Sequence, residues 1–263
     1  MPGLDDLLAT VLTSPKYCTL APDLVQAVAA HMVANHRTYK DALKATKNKL
    51  HQVAGAYFDN RPDYPAILAE LQAADSADRP AIARAVLAQH ASTRERLPIL
   101  DTFFTTTLAD LKPTTVLDLA CGLNPLAVPW MPLPPGATYH AIDVYSDLMA
   151  FLAEALPLLG IVATVETRSI LYSMPDAHYD LALLLKALPC LAQLDRTATR
   201  HLLADVPARH VLVSYPIHSL GGRQKGMATH YAAEFEALVA GQPWAVQRFE
   251  FSTELAFLVH KPS

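Results

Sequence analysis

The chain is predicted to fold as an α/β protein: an all-helical region followed by a mostly parallel sheet that ends in an antiparallel hairpin. Three observations predict this. The first hundred residues carry apolar stripes of helical period punctuated by proline. From Lys112-Pro113 onward, short apolar runs alternate with helical patterns. The last two runs are three residues apart, which permits a hairpin and no crossover.

The elements follow in order. Pro15, Pro22, Pro62, Pro65 and Pro80 break the helical region, the last four near helix starts, where a missing N–H costs little. The clearest helix runs from Tyr39 to Tyr57, with Tyr39, Leu43, Thr46, Leu50, Val53 and Tyr57 on one stripe. Lys40, Lys44, Lys47 and His51 form a neighbouring stripe. Like charges at this spacing repel, so the stripe is either a well-solvated face or a ridge that meets phosphates. Ser92-Thr93-Arg94-Glu95 fits a helix capping box. Strands are expected at Thr115–Ala120, Thr138–Val144, Val162–Arg168, Tyr179–Leu185 and His210–Tyr215, and a hairpin at Val246–Phe251 and Leu255–His260. Helices are expected at Ser146–Leu156, Gln193–Leu203 and Thr229–Ala240. The domain boundary falls between residues 97 and 98.

Composition excludes several classes. Apolar residues make up 52% and charged residues 17%, unlike a disordered or fibrous chain. The stretch from Leu181 to Leu194 is too short to span a membrane and carries Lys186. Asp5 and Asp6 stand where an export signal needs positive charge. Cys18, Cys121 and Cys190 form neither a C-x-x-C pair nor a metal spacing, so a reducing compartment, the cytoplasm, and no metal are expected. The net charge of -4 conceals its distribution: residues 31–61 hold six basic residues (Arg37, Lys40, Lys44, Lys47, Lys49 and Arg61) against Asp41 and Asp59.

The first strand leads into Cys121-Gly122-Leu123-Asn124-Pro125. A dinucleotide fingerprint needs three glycines, and Gly122 stands alone, which disfavours nicotinamide and flavin. About 20 residues later Asp143 ends the second strand, where an acid can accept both hydroxyls of a ribose or simply cap the next helix. Leu117–Gly122 resembles the first motif of S-adenosylmethionine (SAM) methyltransferases, and a sheet ending in a hairpin resembles their variant of the Rossmann-like fold.

Three longer segments make the resemblance specific: His90–Leu97, Leu117–Ala127 and Ser219-Leu220-Gly221-Gly222-Arg223-Gln224-Lys225-Gly226-Met227. Together with Leu185–Leu191 they are similar to the aminoglycoside-resistance 16S ribosomal RNA methyltransferases that modify N7 of guanine 1405. The resemblance covers essentially the whole chain. It implies residues 1–97 as an rRNA-binding domain, residues 98–263 as a SAM-dependent methyltransferase domain, and the 30S subunit as partner of a protein expected to be monomeric. It implies cofactor contacts at Tyr57, His90, Ala91, Ser92, Arg96, Gly122, Asp143, Ser169, Ile170, Leu185 and Leu194. A planar guanidinium at Arg96 suits the cofactor's methionine carboxylate. Ser169 departs from the acid common among relatives, and a hydroxyl accepts from the adenine amino group more weakly. Lys186, Arg223, Lys225 and Met227 are implied to position the target base, with Lys40, Lys44, Lys47, Arg223 and Lys225 on RNA. A lysine at 186, after so apolar a strand, needs an anion or acceptor nearby. Guanine N7 carries its own lone pair, so no general base is assigned. Other readings stay open: another target base, cytosine-C5 methylation through a Cys190 thiolate, or an RNA-binding module of the same fold without turnover.

Overall fold

The central apolar runs become strands because both faces of the sheet are covered, so alternation there gives way to continuous burial. The computed structural model describes residues 3–54, 62–217 and 226–262. Among them, β1 (Thr115–Leu119), β2 (Thr138–Asp143), β3 (Val162–Thr167), β4 (Tyr179–Leu185), β5 (Ala208–Pro216), β6 (Ala245–Glu250) and β7 (Glu254–His260) form one sheet in the order β3-β2-β1-β4-β5-β7-β6. The first five run parallel, and β7 lies antiparallel between β5 and β6. The closing hairpin is therefore inserted, with its second strand inside. The order reverses beside β1, and ligands in such sheets sit at the strands' carboxyl ends at that point.

The helical region consists of α1 (Leu4–Leu12), α2 (Pro22–Asn35), α3 (Tyr39–Ala54), α4 (Tyr64–Ala73), α5 (Arg79–Leu87), α6 (Ala91–Arg96) and α7 (Leu100–Thr107). Pro22, Pro65 and Pro80 stand in the first turns of α2, α4 and α5, as their missing N–H favours. The apolar residues of α1, α2 and α3 form a cluster of their own. Those of α4, α5 and α7 join one face of the sheet with α8 (Ser146–Leu158) and the 3-10 turn Asn124–Trp130. The opposite face is covered by α9 (Leu188–Leu194), α10 (Arg196–Asp205) and α11 (Met227–Val239).

Three local expectations are corrected. The helix expected over Gln193–Leu203 is two helices, because Asp195 leaves helical geometry and its carboxylate accepts from the N–H groups of Thr197 and Ala198. The capping box does not form: α6 starts two residues early, with His90 rather than Ser92 at the N-cap, and Glu95 pairs with Lys186 instead. Asp143 does not cap α8, whose N-cap is Tyr145.

The α1–α3 cluster is stitched to the turn after β2. Ala21 donates its N–H to the Val144 carbonyl at 2.7 Å, and Ser146 donates to Thr19 at 2.8 Å. A bridge pairs Leu20 with Tyr145. On α3 the expected Thr46 and Leu50 are buried together with Ala42, while Tyr39 and Leu43 are half-buried. Lys40, Lys44 and His51 are exposed and Lys47 partly so, as the basic ridge requires.

Candidate active site

Just past β1 the chain turns through Ala120 and Gly122, both with left-handed φ, +51° and +52°. A side chain at 122 is doubly excluded, since a Cβ would stand 3.0 Å from Cε1 of His90. The turn aims the Gly122 N–H at Asp143, whose Oδ2 accepts it at 2.9 Å while Oδ1 accepts from Val144 at 2.7 Å. Burial raises the Asp143 carboxyl above its usual range, opposed by these N–H bonds.

A cleft opens over this turn, lined by residues of β1, β2, β4, α2 and α9 and the turns beside them. Of the residues expected to bind a cofactor, His90, Ser92, Gly122, Asp143, Ser169, Ile170, Leu185 and Leu194 line it. Lys186 and Cys190 do too, the Cys190 thiol donating to the Lys186 carbonyl at 3.8 Å. Ala91 and Arg96 are buried and are not among the lining residues. Met227 begins α11 half-buried, away from the cleft wall. Tyr57, Arg223 and Lys225 lie outside the described residues.

Behind the wall runs a buried ionic network. Arg96, 2% exposed, donates from Nη2 to Glu254 at 2.6 Å and from Nη1 to Asn124 at 2.8 Å. Its guanidinium also lies over the Phe103 ring at 4.8 Å. Glu254, fully buried at the start of β7, is ion-paired with Lys186 as well, at 3.3 Å. Lys186 completes its set with Glu95 and the Ser92 carbonyl, each at 3.0 Å. The acceptors that a buried lysine demands are thus present. Burial would raise the Glu254 carboxyl, but Arg96 and Lys186 outweigh it and hold it below the usual range. Lys186 itself has φ +59°, a strained value for a side-chain-bearing residue. Arg96 is thus linked to the cleft through the lining residue Asn124.

Sequence reasoning missed Asp118, Asn124, Arg168 and Leu24, all of which line the cleft. A carboxylate in the otherwise apolar run Thr-Val-Leu-Asp-Leu was the available signal for Asp118. Asp118 accepts from Tyr139 at 2.6 Å and Asn124 at 2.8 Å, yet burial pushes its carboxyl up to about 7. Leu24 comes from α2, and the neighbouring Asp23 accepts the Ser169 N–H at 3.0 Å. The helical region thereby closes one end of the cleft.

A cleft at this crossover, with a glycine turn, an acid ending β2 and apolar walls, suits a nucleoside-bearing cofactor. The family described as "Ribosomal RNA methyltransferase (FmrO)" matches residues 13–258. The chain belongs to this family. A curated relative from Frankia casuarinae, a 16S rRNA (guanine(1405)-N(7))-methyltransferase, is 40% identical over 98% of this chain and 94% of its own. One from Micromonospora rosea with the same name is 37% identical over 98% and 97%, and one from Serratia marcescens 32% over 98% and 99%. Among solved structures, the 16S rRNA methyltransferase RmtF in complex with S-adenosyl-L-homocysteine superposes with a TM-score of 0.84, at 31% identity over 98% of both chains. The 16S rRNA methylase RmtB gives 0.83 at 28% identity over all of both chains.

SAM is the cofactor of this fold, and the cleft fits it. Asp118 and Asp143 line the cleft, and the glycine turn leaves room for close approach.

Removing the charge of Glu254 strands two buried cations. Glu254→Gln is expected to destabilise the fold by about 3–5 kcal/mol, read as a lower urea midpoint at unchanged m. Asp118 carries a second expectation. Between about pH 4 and 7 the folded protein retains a proton that an unfolded carboxyl has released, so its contribution to stability falls across that window and is level above it. A bound cation favours the ionised form. SAM affinity by calorimetry should therefore rise from pH 5 to about 7 with proton release, and Asp118→Asn should abolish both trends.

Proposed function

We propose that this chain transfers a methyl group from SAM to N7 of guanine 1405 of 16S rRNA within the assembled 30S subunit, and so confers resistance to aminoglycosides of the kanamycin and gentamicin class. The observation that carries this reading is the similarity, at 37–40% identity over 98% of the chain, to relatives with that named activity. The cofactor supplies a methyl group activated on a cationic sulfur. Asp143 is assigned to the ribose hydroxyls, Ile170 and Leu185 to the adenine faces, and Ser169 to the adenine edge. Ser92 and His90 stand at the opposite wall, where Asn124, oriented by Arg96, meets the methionine end.

The chemistry asks little acid–base work of the protein. Guanine N7 presents an in-plane lone pair, so attack needs no prior deprotonation, and catalysis becomes positioning and desolvation. His90 is consistent with this. Burial first, then Lys186 and Arg96, lower its imidazole to about 4, and it stands neutral at working pH. Lys186, Arg223, Lys225 and Met227 are assigned to the target base. Residues 1–97, with the Lys40, Lys44 and Lys47 ridge, are assigned to rRNA docking in the cytoplasm.

The test is incubation of 30S subunits with labelled SAM, followed by mapping of the modified nucleotide. Strand scission at guanine 1405 after borohydride and aniline treatment is expected, a reaction that C5-methylcytosine does not share. Labelled subunits without scission there would overturn the assignment and favour the Cys190 chemistry. The single-turnover rate should be nearly flat from about pH 7 to 8.5, without the bell of acid–base catalysis.

Docking has its own test. Neutralising Lys40, Lys44 and Lys47 together should weaken 30S binding and flatten its salt dependence by about 0.7–0.9 for each phosphate no longer neutralised. SAM affinity should stay unchanged. A triple variant with wild-type 30S affinity at every salt concentration would reduce the ridge to a solvated face.

A further inference from the structure

Helix α9 separates two hollows. Cys190, Leu191 and Leu194 look into the cofactor cleft, whereas Leu188 lines a second cavity between α9, α10 and α11. An α-helix is about 10 Å across, so the two lie one helix apart, both at the carboxyl edge of the sheet. The second cavity is chemically mixed. Arg196 and Arg200, one turn apart on α10, are exposed, and no carboxylate pairs with either among the described residues. Leu188 and Leu238 supply apolar wall.

Tyr215 forms the buried end. It is 1% exposed, its ring stacks on Tyr231 at 4.9 Å, and its hydroxyl has no hydrogen-bond partner among the described residues. A buried hydroxyl in that state calls for a polar partner. Glu234 lines the same cavity and lies near enough to act, after burial, in raising the Tyr215 phenol. A plain phosphate would be drawn to the arginines and repelled by Glu234. A nucleotide satisfies both ends, because its phosphate suits paired guanidinium groups and its base edge offers amino donors to a carboxylate.

We propose that this cavity receives a second unpaired nucleotide of the substrate RNA, near the target in sequence. Arg196 and Arg200 hold its phosphate, Leu188 and Leu238 flank its base, and Glu234 and Tyr215 read the amino-bearing edge. Recognition of splayed, unstacked bases in such pockets is the usual way proteins read single-stranded RNA. The inference rests on the rRNA reading above.

The test fills the cavity without touching the cofactor cleft. Ala237 is an exposed wall residue, and Ala237→Trp should lower 30S affinity at least about ten-fold while SAM affinity stays within about two-fold. Arg196→Ala/Arg200→Ala, on exposed positions that the fold does not need, should flatten the salt dependence of 30S binding by about 0.7 for each phosphate no longer neutralised. Glu234→Gln should weaken 30S binding at every salt concentration equally. Wild-type 30S affinity and salt slope in both the filled and the double-arginine variants would overturn the proposal. Failure of the unmodified protein to label 30S subunits would instead overturn the rRNA reading and this inference with it.

Discussion

The fully buried Glu254 carboxylate is the constraint on which the site depends. It stands at the first residue of β7, the strand inserted between β5 and β6, and it binds Arg96 of α6 and Lys186 at the end of β4. Those two cations in turn fix Asn124 and the Ser92 carbonyl. Four segments remote in sequence thus meet at one carboxylate. Burying such a network gains little stability over an apolar core of equal volume. What it does is hold donors in place: the strained φ of Lys186 costs of order 1–3 kcal/mol and is sustained by two acceptors and the ion pair with Glu254. The inserted hairpin is therefore more than a sheet edge, since it carries the anion around which one wall of the cleft is built.

The opposite end of the cleft depends on the helical region. Asp23 takes the Ser169 N–H, Leu24 enters the wall, and Thr19 and Ala21 bond the turn that follows Asp143. The Lys49 ammonium on α3 also donates to the Gln193 carbonyl on α9. The helices assigned to RNA docking and the walls of the cofactor cleft are thus one bonded structure. Displacing α2 would remove part of the cofactor site as well as the basic ridge.

Most of the fold was legible because it is written in short-range pattern. The strands fall within two residues of the expected runs, since the central ones are continuously buried between two helical layers and leave a clear trace. The break at Asp195 was missed because a capping aspartate inside a helical pattern looks like an ordinary surface residue until its neighbours' N–H groups are counted. In the site, Gly122 and Asp143 were legible because each marks a strand end. Glu254 was not. Its partners stand 158 and 68 positions away in the chain, and no local pattern reports a contact made by topology. The partner of Arg96 was missed for the same reason: a lone arginine invites an anion, and the anion the fold supplies is its own.

Charge accounting explains how a site with so many ionised groups can serve a reaction with no acid or base. In the proposed reaction, methyl transfer to N7 carries one positive charge from the cofactor's sulfur to the purine, so the net charge of the bound set does not change. The protein needs to stabilise a cation at two neighbouring positions in succession. Asp118 and Asp143 line the cofactor side of the cleft. Lys186 lines the same cleft, and in its assigned place at the target base it would oppose a newly cationic guanine if its own charge were unbalanced. Glu95 and Glu254 balance it. His90, neutral in its buried place, adds no further positive charge between them. The buried network that fixes the wall thus also removes the electrostatic penalty that a naked lysine would impose on the product.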